Sequence, residues 1–552
     1  MGERSEYWLL KTEPGEWSWE DQSANEGLSK WDGVKNKQAQ KNMKAMRVGD
    51  LCFFYHSGTR ARRVVGVVSV VRAWYGDEES EDGGGAVDVK AVGEMRRPVD
   101  LAEMKRDLGL KGFRLFRQPR LSVVPVEKRI WERVCEMGGV GESQEIQLFY
   151  YFIESEKSPE TDPLLLWLTG GPSCSGLSAL FYEIGPLTIN YANSTGDIPA
   201  LKLNPYAWTK VANIIFVDQP VGTGYSYAQT SDAYKTNDTL SAQHTYSFLV
   251  QWLLDHPTFL SNPLYVGGDS YSGITVPLVV HNIYDGLESG IEPRLNMKGY
   301  IEGNPLTDRF SDLNNRMEYG YRMGFLSDNL YKSTKESCNG NYINEHPQSS
   351  RCQYDLQRVS KCTEKINMAQ ILEPVCNEES LLSLDGENLP QQWCRDDNYL
   401  FGYSWANNKI VQKALDVREG TITEWVRCNQ TLRGPPEVER TEAYVYNVKT
   451  TVDYHRSFTN KSCRVLIYSG DHDMIVPHVS TEEWIESLKV VVEDEWRPWF
   501  VEDQIAGYTM KYSQNEFELT YATVKGAGHT APEYKPQQCL PMIQKWLSIY
   551  PL

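Results

Sequence analysis

The stretch Gly268-Asp269-Ser270-Tyr271-Ser272-Gly273 constrains this chain more than any other. It follows the apolar run "NPLYV" and precedes "ITVPLVVHNIYDGL", so it reads as a sharp turn from a strand into a helix. A serine between small residues at such a turn is a nucleophile elbow. The backbone there is strained, and only small neighbours fit beneath the exposed hydroxyl. The strict pattern has glycine two residues after the serine, where this chain has Ser272.

The segments around the elbow set the fold class. "PLLLWLTGG", "NIIFVDQP", "NPLYVGG", "MKGYIEGNP" and "CRVLIYSGD" are continuous apolar runs, each ending in Gly, Asp or Asn. Helical stretches such as "TLSAQHTYSFLVQWLLDHP" alternate with them. This alternation predicts a mostly parallel sheet covered on both faces, with reactive groups at the carboxyl ends of its strands. An α/β hydrolase takes its triad in the chain order Ser, then Asp or Glu, then His. After Ser270 the candidates are Asp471 or Asp473 in "YSGDHDMIVP", then His529 in "VKGAGHTAPEYKP". His472, beside the acid, reads as a surface residue. This chemistry calls for no cofactor and no metal.

The chain divides into two regions of different character. Residues 1–140 hold 24 Lys and Arg against 22 Asp and Glu, whereas the remainder holds 32 against 52. Two of the 11 cysteines, Cys52 and Cys135, precede residue 140. The N-x-[ST] sequons at Asn193, Asn237, Asn429 and Asn460 all follow it. Clustered cysteines and candidate glycosylation sites fit an oxidising, secretory setting for the second region. The first reads as an intracellular, reduced protein. The N-terminus "MGERSEYWLLKTEPGEW" shows no signal-peptide apolar core, and no window reads as a transmembrane helix, so no membrane partner is expected.

In the first region "EYWLLKTEP", "LCFFYHS" and "RVVGVVSVVRAWY" read as strands, "KWDGVKNKQAQKNMKAM" as a helix, and "ESEDGGGA" as a loop. "VDVKAVGEM", "LAEMKRDL" and "FRLFRQPRLSVVPV" add a strand, a short helix and a strand. This is a small mixed α+β, barrel-like domain. The strings "YWLLKTEP", "WDGVKNKQA", "GDLCFFYHS" and "RQPRLSVVPV" resemble the EVE domain, a relative of the PUA and YTH modules, over about residues 1–138. The resemblance implies a possible partner, a modified base in DNA or RNA. A flipped base needs aromatic faces and a few polar groups, so the base-binding candidates are Trp8, Trp31, Asn36, Tyr55 and Ser57. Lys35, Lys37, Lys41, Lys44, Arg60, Arg62 and Arg63 are candidates for phosphate contact. Trp and Tyr in a small β domain are equally at home in its core.

Residues 139–552 resemble the serine carboxypeptidase-like family (peptidase S10), through "LLLWLTGGPSCSGLSALFYEIGP", "NIIFVDQPVGTGYSY", "GGDSYSG", "YSGDHDMIVP" and "GAGHTAPEYKP". The resemblance implies Ser270 as nucleophile, His529 as general base and Asp473 as its orienting acid. It implies an oxyanion hole made by the backbone N–H groups of Gly171 and Tyr271. It pairs Cys174 with Cys428, Cys338 with Cys352 and Cys376 with Cys394, leaving Cys362, Cys463 and Cys539 free. The cysteine-rich insertion at about 325–440 reads as a lid. Substrate binding falls to Thr169, Gly170, Glu183 and Asp269. Peptidases of the family hold a C-terminal carboxylate with an Asn before "GGP" and a Glu before the nucleophile, where this chain has Thr169 and Asp269. "LTGG" and "GDSYSG" are similar to the plant acyltransferase branch, which moves acyl groups from 1-O-β-glucose esters to an alcohol or amine.

The leading expectation is therefore a Ser-Asp-His enzyme that takes a small acyl ester donor and an alcohol acceptor. A serine carboxypeptidase acting on a peptide C-terminus is the alternative. A third reading is a modified-base reader whose hydrolase part is a passenger or was joined to it from a neighbouring coding region, since residues 130–145 have no linker composition. The second region implies a secreted or vacuolar location, the first a nuclear or cytosolic one.

Overall fold

The computed structural model describes residues 7–24, 28–58, 62–76, 84–138, 146–194, 198–343, 349–376, 394–433 and 440–552. The chain forms two compact units, Met1–Glu145 and Ile146–Leu552. The junction residues 139–145, most of the "ESEDGGGA" loop and Arg60 lie outside the described residues.

The first unit is built on strands β1 (Tyr7–Thr12), β2 (Leu28–Trp31), β3 (Leu51–His56), β4 (Arg63–Gly76), β5 (Gly85–Asp100) and β6 (Val123–Val126). They form one sheet in the order β2-β5-β4-β3-β1-β6. β1 runs parallel to β3, and the other pairings are antiparallel. Helix Lys37–Ala45 is capped by Asn36, whose side chain accepts from the amides of Gln38 and Ala39. "FRLFR" does not extend the last strand; it forms a helical turn, Arg114–Arg117. A helix that the pattern did not suggest, Lys128–Gly138, closes the unit. It packs Trp131 against Phe53 and Tyr7 with ring centroids 4.0 and 4.8 Å apart.

The second unit is organised by a nine-stranded sheet. Its strands are β7 (Tyr150–Ile153), β8 (Leu164–Leu168), β9 (Asn213–Val217), β10 (Leu264–Asp269), β11 (Met297–Gly303), β12 (Cys463–Gly470), β13 (Val491–Val501), β14 (Gln504–Gln514) and β15 (Phe517–Val524). Their order is β13-β14-β15-β12-β11-β10-β8-β9-β7. The six from β15 to β9 are parallel. β7 and the β13–β14 hairpin flank them antiparallel. β8, β9 and β10 are buried along their whole length, as unbroken apolar runs require when both faces are covered. One core gathers Leu166, Val266, Val279 and Ile467, and the opposite one Trp167, Phe216, Ile301 and Leu466. The two sets alternate along the strands, as the period of two demands. This is the α/β-hydrolase arrangement.

Between β11 and β12 the chain leaves the sheet for helices that include Arg309–Arg322, Asp328–Ser337, Ser350–Thr363 and Arg395–Asn407. Disulfides join Cys338 to Cys352 and Cys376 to Cys394 within this excursion. Cys174 is joined to Cys428 across 254 residues. Cys52, Cys135, Cys362, Cys463 and Cys539 are not in disulfides. No helix among the described residues is long and apolar enough to cross a membrane.

Candidate active site

The elbow is built by close approaches. A Cβ on Gly268 would lie 2.3 Å from the Leu168 carbonyl oxygen, and one on Gly273 would lie 2.5 Å from that of Leu306. Neither position admits a side chain. Ser270 adopts φ 57°, a left-handed conformation costly for a non-glycine residue. Backbone bonds hold it there: its N–H donates to Gly303 O at 2.9 Å, and its C=O accepts from Leu306 N at 2.8 Å and Gly273 N at 3.1 Å. Ser272 replaces the expected glycine with a gain. Its hydroxyl donates to Leu168 O at 2.6 Å and stitches the helix start to β8.

Three strand-end turns converge at this point. His529 Nε2 lies 2.6 Å from Ser270 Oγ, and His529 Nδ1 lies 2.8 Å from Asp473 Oδ2. Asp473 is fully buried. It also accepts from the amides of Ile475 at 2.7 Å and Val476 at 3.2 Å, and from Asn304 Nδ2 at 2.9 Å. With the histidine, four donors satisfy this buried carboxylate. Of the two acids the sequence left open, Asp473 faces the histidine. Asp471 instead accepts from the Gly526 amide at 2.6 Å and stands 3.1 Å from His472 Nδ1. Burial alone would lower the His529 pKa; the charge and hydrogen bond of Asp473 outweigh it and the net shift is upward. Asn304 was not among the sequence candidates. It sits just past β11 at φ 44°, and its Oδ1 accepts from Gly470 N at 3.0 Å. Its only sequence signal is an asparagine ending an apolar run in "YIEGNP".

The glycine loop after β8 lies against the elbow. A Cβ on Gly170 would stand 2.7 Å from Ser270 Cβ and 3.1 Å from Tyr271 N. Gly171 follows at φ 125°. Cys174, three residues on, is held by its disulfide to Cys428. Asp269 Oδ1 accepts from Gly170 N at 3.0 Å, so this carboxylate orients the loop. The Tyr271 side chain points away into the core, donating to Asp238 Oδ1 at 2.6 Å. Thr169 Oγ1 and Glu183 Oε2 are buried with no hydrogen-bond partner among the described residues. Burial, then the neighbouring Asp269, pushes the Glu183 carboxyl well above its ordinary range; burial likewise raises Asp269, against the Gly170 amide.

In the first unit Trp8 and Trp31 belong to the core. Trp8 Nε1 donates to Asp50 Oδ2 at 3.0 Å, and Trp31 meets Phe54 edge to face. Tyr55 is also buried, with Lys11 Nζ 6.0 Å from its ring centre. Asn36 spends its side-chain oxygen on the helix cap, and Ser57 Oγ donates to Thr12 O at 3.0 Å. Lys35, Lys37, Lys41, Lys44 and Arg62 are exposed, and Arg63 is half-buried. Among the sequons, Asn193 and Asn460 are exposed, while Asn237 caps a helix and Asn429 donates to Gly222 O at 2.8 Å.

Comparison with known proteins gives the family of each region. The serine carboxypeptidase family model matches residues 137–549, and the EVE domain model matches residues 6–137. Serine carboxypeptidase-like 13 of Arabidopsis thaliana is 44% identical over 418 residues, covering 75% of this chain and 90% of its own length. Serine carboxypeptidase-like 17 of the same plant is 44% identical over 417 residues, or 75% and 89%. The crystal structure of Kex1(delta)p, a prohormone-processing carboxypeptidase from Saccharomyces cerevisiae, shares the fold with a TM-score of 0.57 at 19% identity, covering 74% of this chain and 87% of that one. Behind an EVE domain, this chain belongs to the serine carboxypeptidase family.

Proposed function

We propose that the second unit is an acyl-transfer enzyme working through a covalent acyl group on Ser270, with an ester of glucose as donor and an alcohol as acceptor. The observation that carries the covalent step is the hydrogen-bonded relay from Ser270 through His529 to Asp473. Ser270 Oγ attacks the ester carbonyl while His529 Nε2 takes its proton. The amides of Gly171 and Tyr271 receive the oxyanion; such donors supply roughly 2.7–4 kcal/mol each. The bond to the glucose oxygen breaks, and His529 returns the proton to it. The acceptor hydroxyl then attacks the acyl-enzyme, giving its proton to His529; the Ser270–acyl bond breaks, His529 returns the proton to Ser270 Oγ, and the new ester leaves. Water in the acceptor's place gives hydrolysis. The excursion between β11 and β12 serves as the lid that excludes it.

Asp269 favours transfer over carboxypeptidase action. Its carboxylate is engaged on the Gly170 amide rather than offered to a substrate terminus, and Thr169 supplies a hydroxyl where a peptidase has an amide. Incubation with a 1-O-hydroxycinnamoyl-β-glucose plus alcohols, and separately with blocked dipeptides, tests this. Release of the C-terminal residue without ester turnover would replace the reading with a carboxypeptidase.

A second reading concerns the EVE domain, which we propose contacts a modified base. Lys11, opposite Tyr55 where β1 pairs with β3, supports it: burial lowers its amine to about 8 and its Nζ donates to Pro119 O at 3.1 Å. Titrating the full chain with duplexes that carry or lack a modified cytosine should give base-dependent, salt-sensitive binding; equal affinity for both would end this reading.

A further inference from the structure

The segment Met368–Ile371 lies in the helical excursion, far in sequence from both the acid and the histidine, yet it touches both of their turns. Met368 O accepts from Met474 N at 2.8 Å, and Ile371 N donates to His472 O at 3.2 Å, on either side of Asp473. Ala369 O accepts from the His529 amide at 2.7 Å. Gln370 Nε2 donates to Gly526 O at 3.1 Å, opposite the Asp471 carboxylate that takes the Gly526 amide. The fit leaves no slack: a Cβ on Gly528 would lie 2.2 Å from Ala369 O. Gln370 itself is buried.

The segment is held from both sides. Asn367 accepts from Ala369 N at 3.1 Å and donates to Pro374 O at 3.2 Å. Arg395 grips Glu373 with two bonds, Nε to Oε2 at 3.0 Å and Nη2 to Oε1 at 2.6 Å. Its Nη1 donates to Glu533 Oε1 at 3.2 Å, and its guanidinium lies 4.2 Å over the Tyr534 ring. Glu533 in turn accepts from Thr530 Oγ1 at 2.9 Å, next to His529. Planar, two-pronged pairs of this kind fix orientation as well as charge. The chain of contacts thus closes a ring: strap, Glu373, Arg395, Glu533, His529 turn, strap.

We infer that the strap Met368–Ile371, locked by Gln370 and Arg395, positions His529 against Asp473, so that this stretch of the helical excursion supports the relay rather than only covering it. The inference rests on the reading of Ser270, His529 and Asp473 as the reacting groups. Gln370 and Arg395 touch no reacting atom; they are positioning residues. Asp473, Asp269 and Arg316 are the charged groups that act on His529. Loosening the strap weakens the largest favourable one, and the imidazole then loses its proton at a lower pH.

A fluorophosphonate is the probe. Ser270 Oγ bonds to phosphorus, fluoride leaves, and His529 takes the hydroxyl proton, so the labelling rate reports the relay whatever the natural substrate is. The full chain would be labelled across pH 4 to 9, roughly, with the modified peptide mapped. Gln370→Met and Arg395→Met are expected to slow labelling about tenfold to a hundredfold and to move its acid limb to lower pH. Arg395→Lys, which keeps one contact of the fork, should fall between them and the parent. Arg351→Met, on an exposed arginine elsewhere in the excursion, should change neither quantity. An acid limb left in place, with any loss of rate matching only the unfolded fraction, overturns the strap's role, and Arg395→Lys decides the point where the methionine variants do not fold. Parent protein that is not labelled on Ser270 overturns the underlying reading of the relay instead.

Discussion

At the residue scale the elbow is a packing problem before it is a chemical one. Gly268→Ala would place a methyl 2.3 Å from the Leu168 carbonyl and 2.5 Å from Ser272 Cβ. Backbone cannot yield that far, so the variant should be absent from the soluble folded fraction or lack labelling of Ser270. Ser272→Gly restores the commoner motif but deletes the bond to Leu168 O. It should lower the melting temperature by the equivalent of about 1 kcal/mol and leave the relay in place. Asn304 divides its amide between Asp473 and Gly470. Asn304→Ala should lower kcat about tenfold with KM little changed, since it removes one of four donors on the carboxylate and touches no substrate. An unchanged kcat would show that Asp473 needs no such support. Sequence pattern alone could not choose between Asp471 and Asp473, because both follow the same strand-end glycine; the choice depends on which carboxylate Gly526 claims. Asn304 was illegible for a similar reason: its role lies in two contacts more than 160 residues away in sequence.

At the element scale the parallel strands, β15 ("FELTYATV" before Lys525) apart, are legible because each is a short, mostly apolar run stopped by Gly, Asp or Asn. The β13–β14 hairpin is not. Its strands expose Val491, Trp496, Phe500, Ile505 and Tyr508, so they lack the alternation that a half-buried strand shows. "FRLFR" misleads in the opposite sense: β-prone aromatics alternate with arginine, but a single helical turn buries Leu115. The disulfides act on different elements. Cys174–Cys428 closes a separation of 254 residues and anchors the glycine loop, whereas Cys338–Cys352 closes 14 within the excursion. Chain entropy gives roughly 5 and roughly 3 kcal/mol for loops of these lengths. Replacing Cys428 with Ala should therefore lower both thermal stability and kcat, because Gly171 lies three residues from Cys174. Replacing Cys338 and Cys352 together should lower stability alone. Equal loss of kcat in both would detach the loop from Cys174.

At the scale of the whole molecule, burial of carboxyl groups ties stability to pH. In the second unit, burial raises Asp218 from 3.8 to about 6 and Asp312 from 3.8 to about 7. Glu302, with both oxygens buried and without a hydrogen bond among the described residues, lies 3.8 Å from His455 Nε2 and is pushed well up by the same cause. A carboxyl whose pKa is higher in the folded than in the unfolded chain contributes stability that is full below the unfolded value. That contribution is lost as pH rises through the folded value. At about 1.4 kcal/mol per pKa unit, Asp218 and Asp312 together withdraw several kcal/mol between pH 4 and 7. His455 runs the other way. Burial lowers it to about 3, so its contribution is full above the imidazole's ordinary 6.5 and gone below about 3. The acids outnumber it, so the thermal midpoint of this unit should fall by several degrees from pH 5 to pH 8. Asp312→Asn, which cannot ionise, should flatten that fall, and a midpoint that climbs from pH 5 to 8 would contradict it. Use of the sequons can be read on protein from a secretory host. Asn193 and Asn460 are exposed and should carry glycan. Asn429 should not, because it is only partly exposed and its side-chain amide is turned onto Gly222 O beside the Cys174–Cys428 bridge, which leaves little room for a glycan.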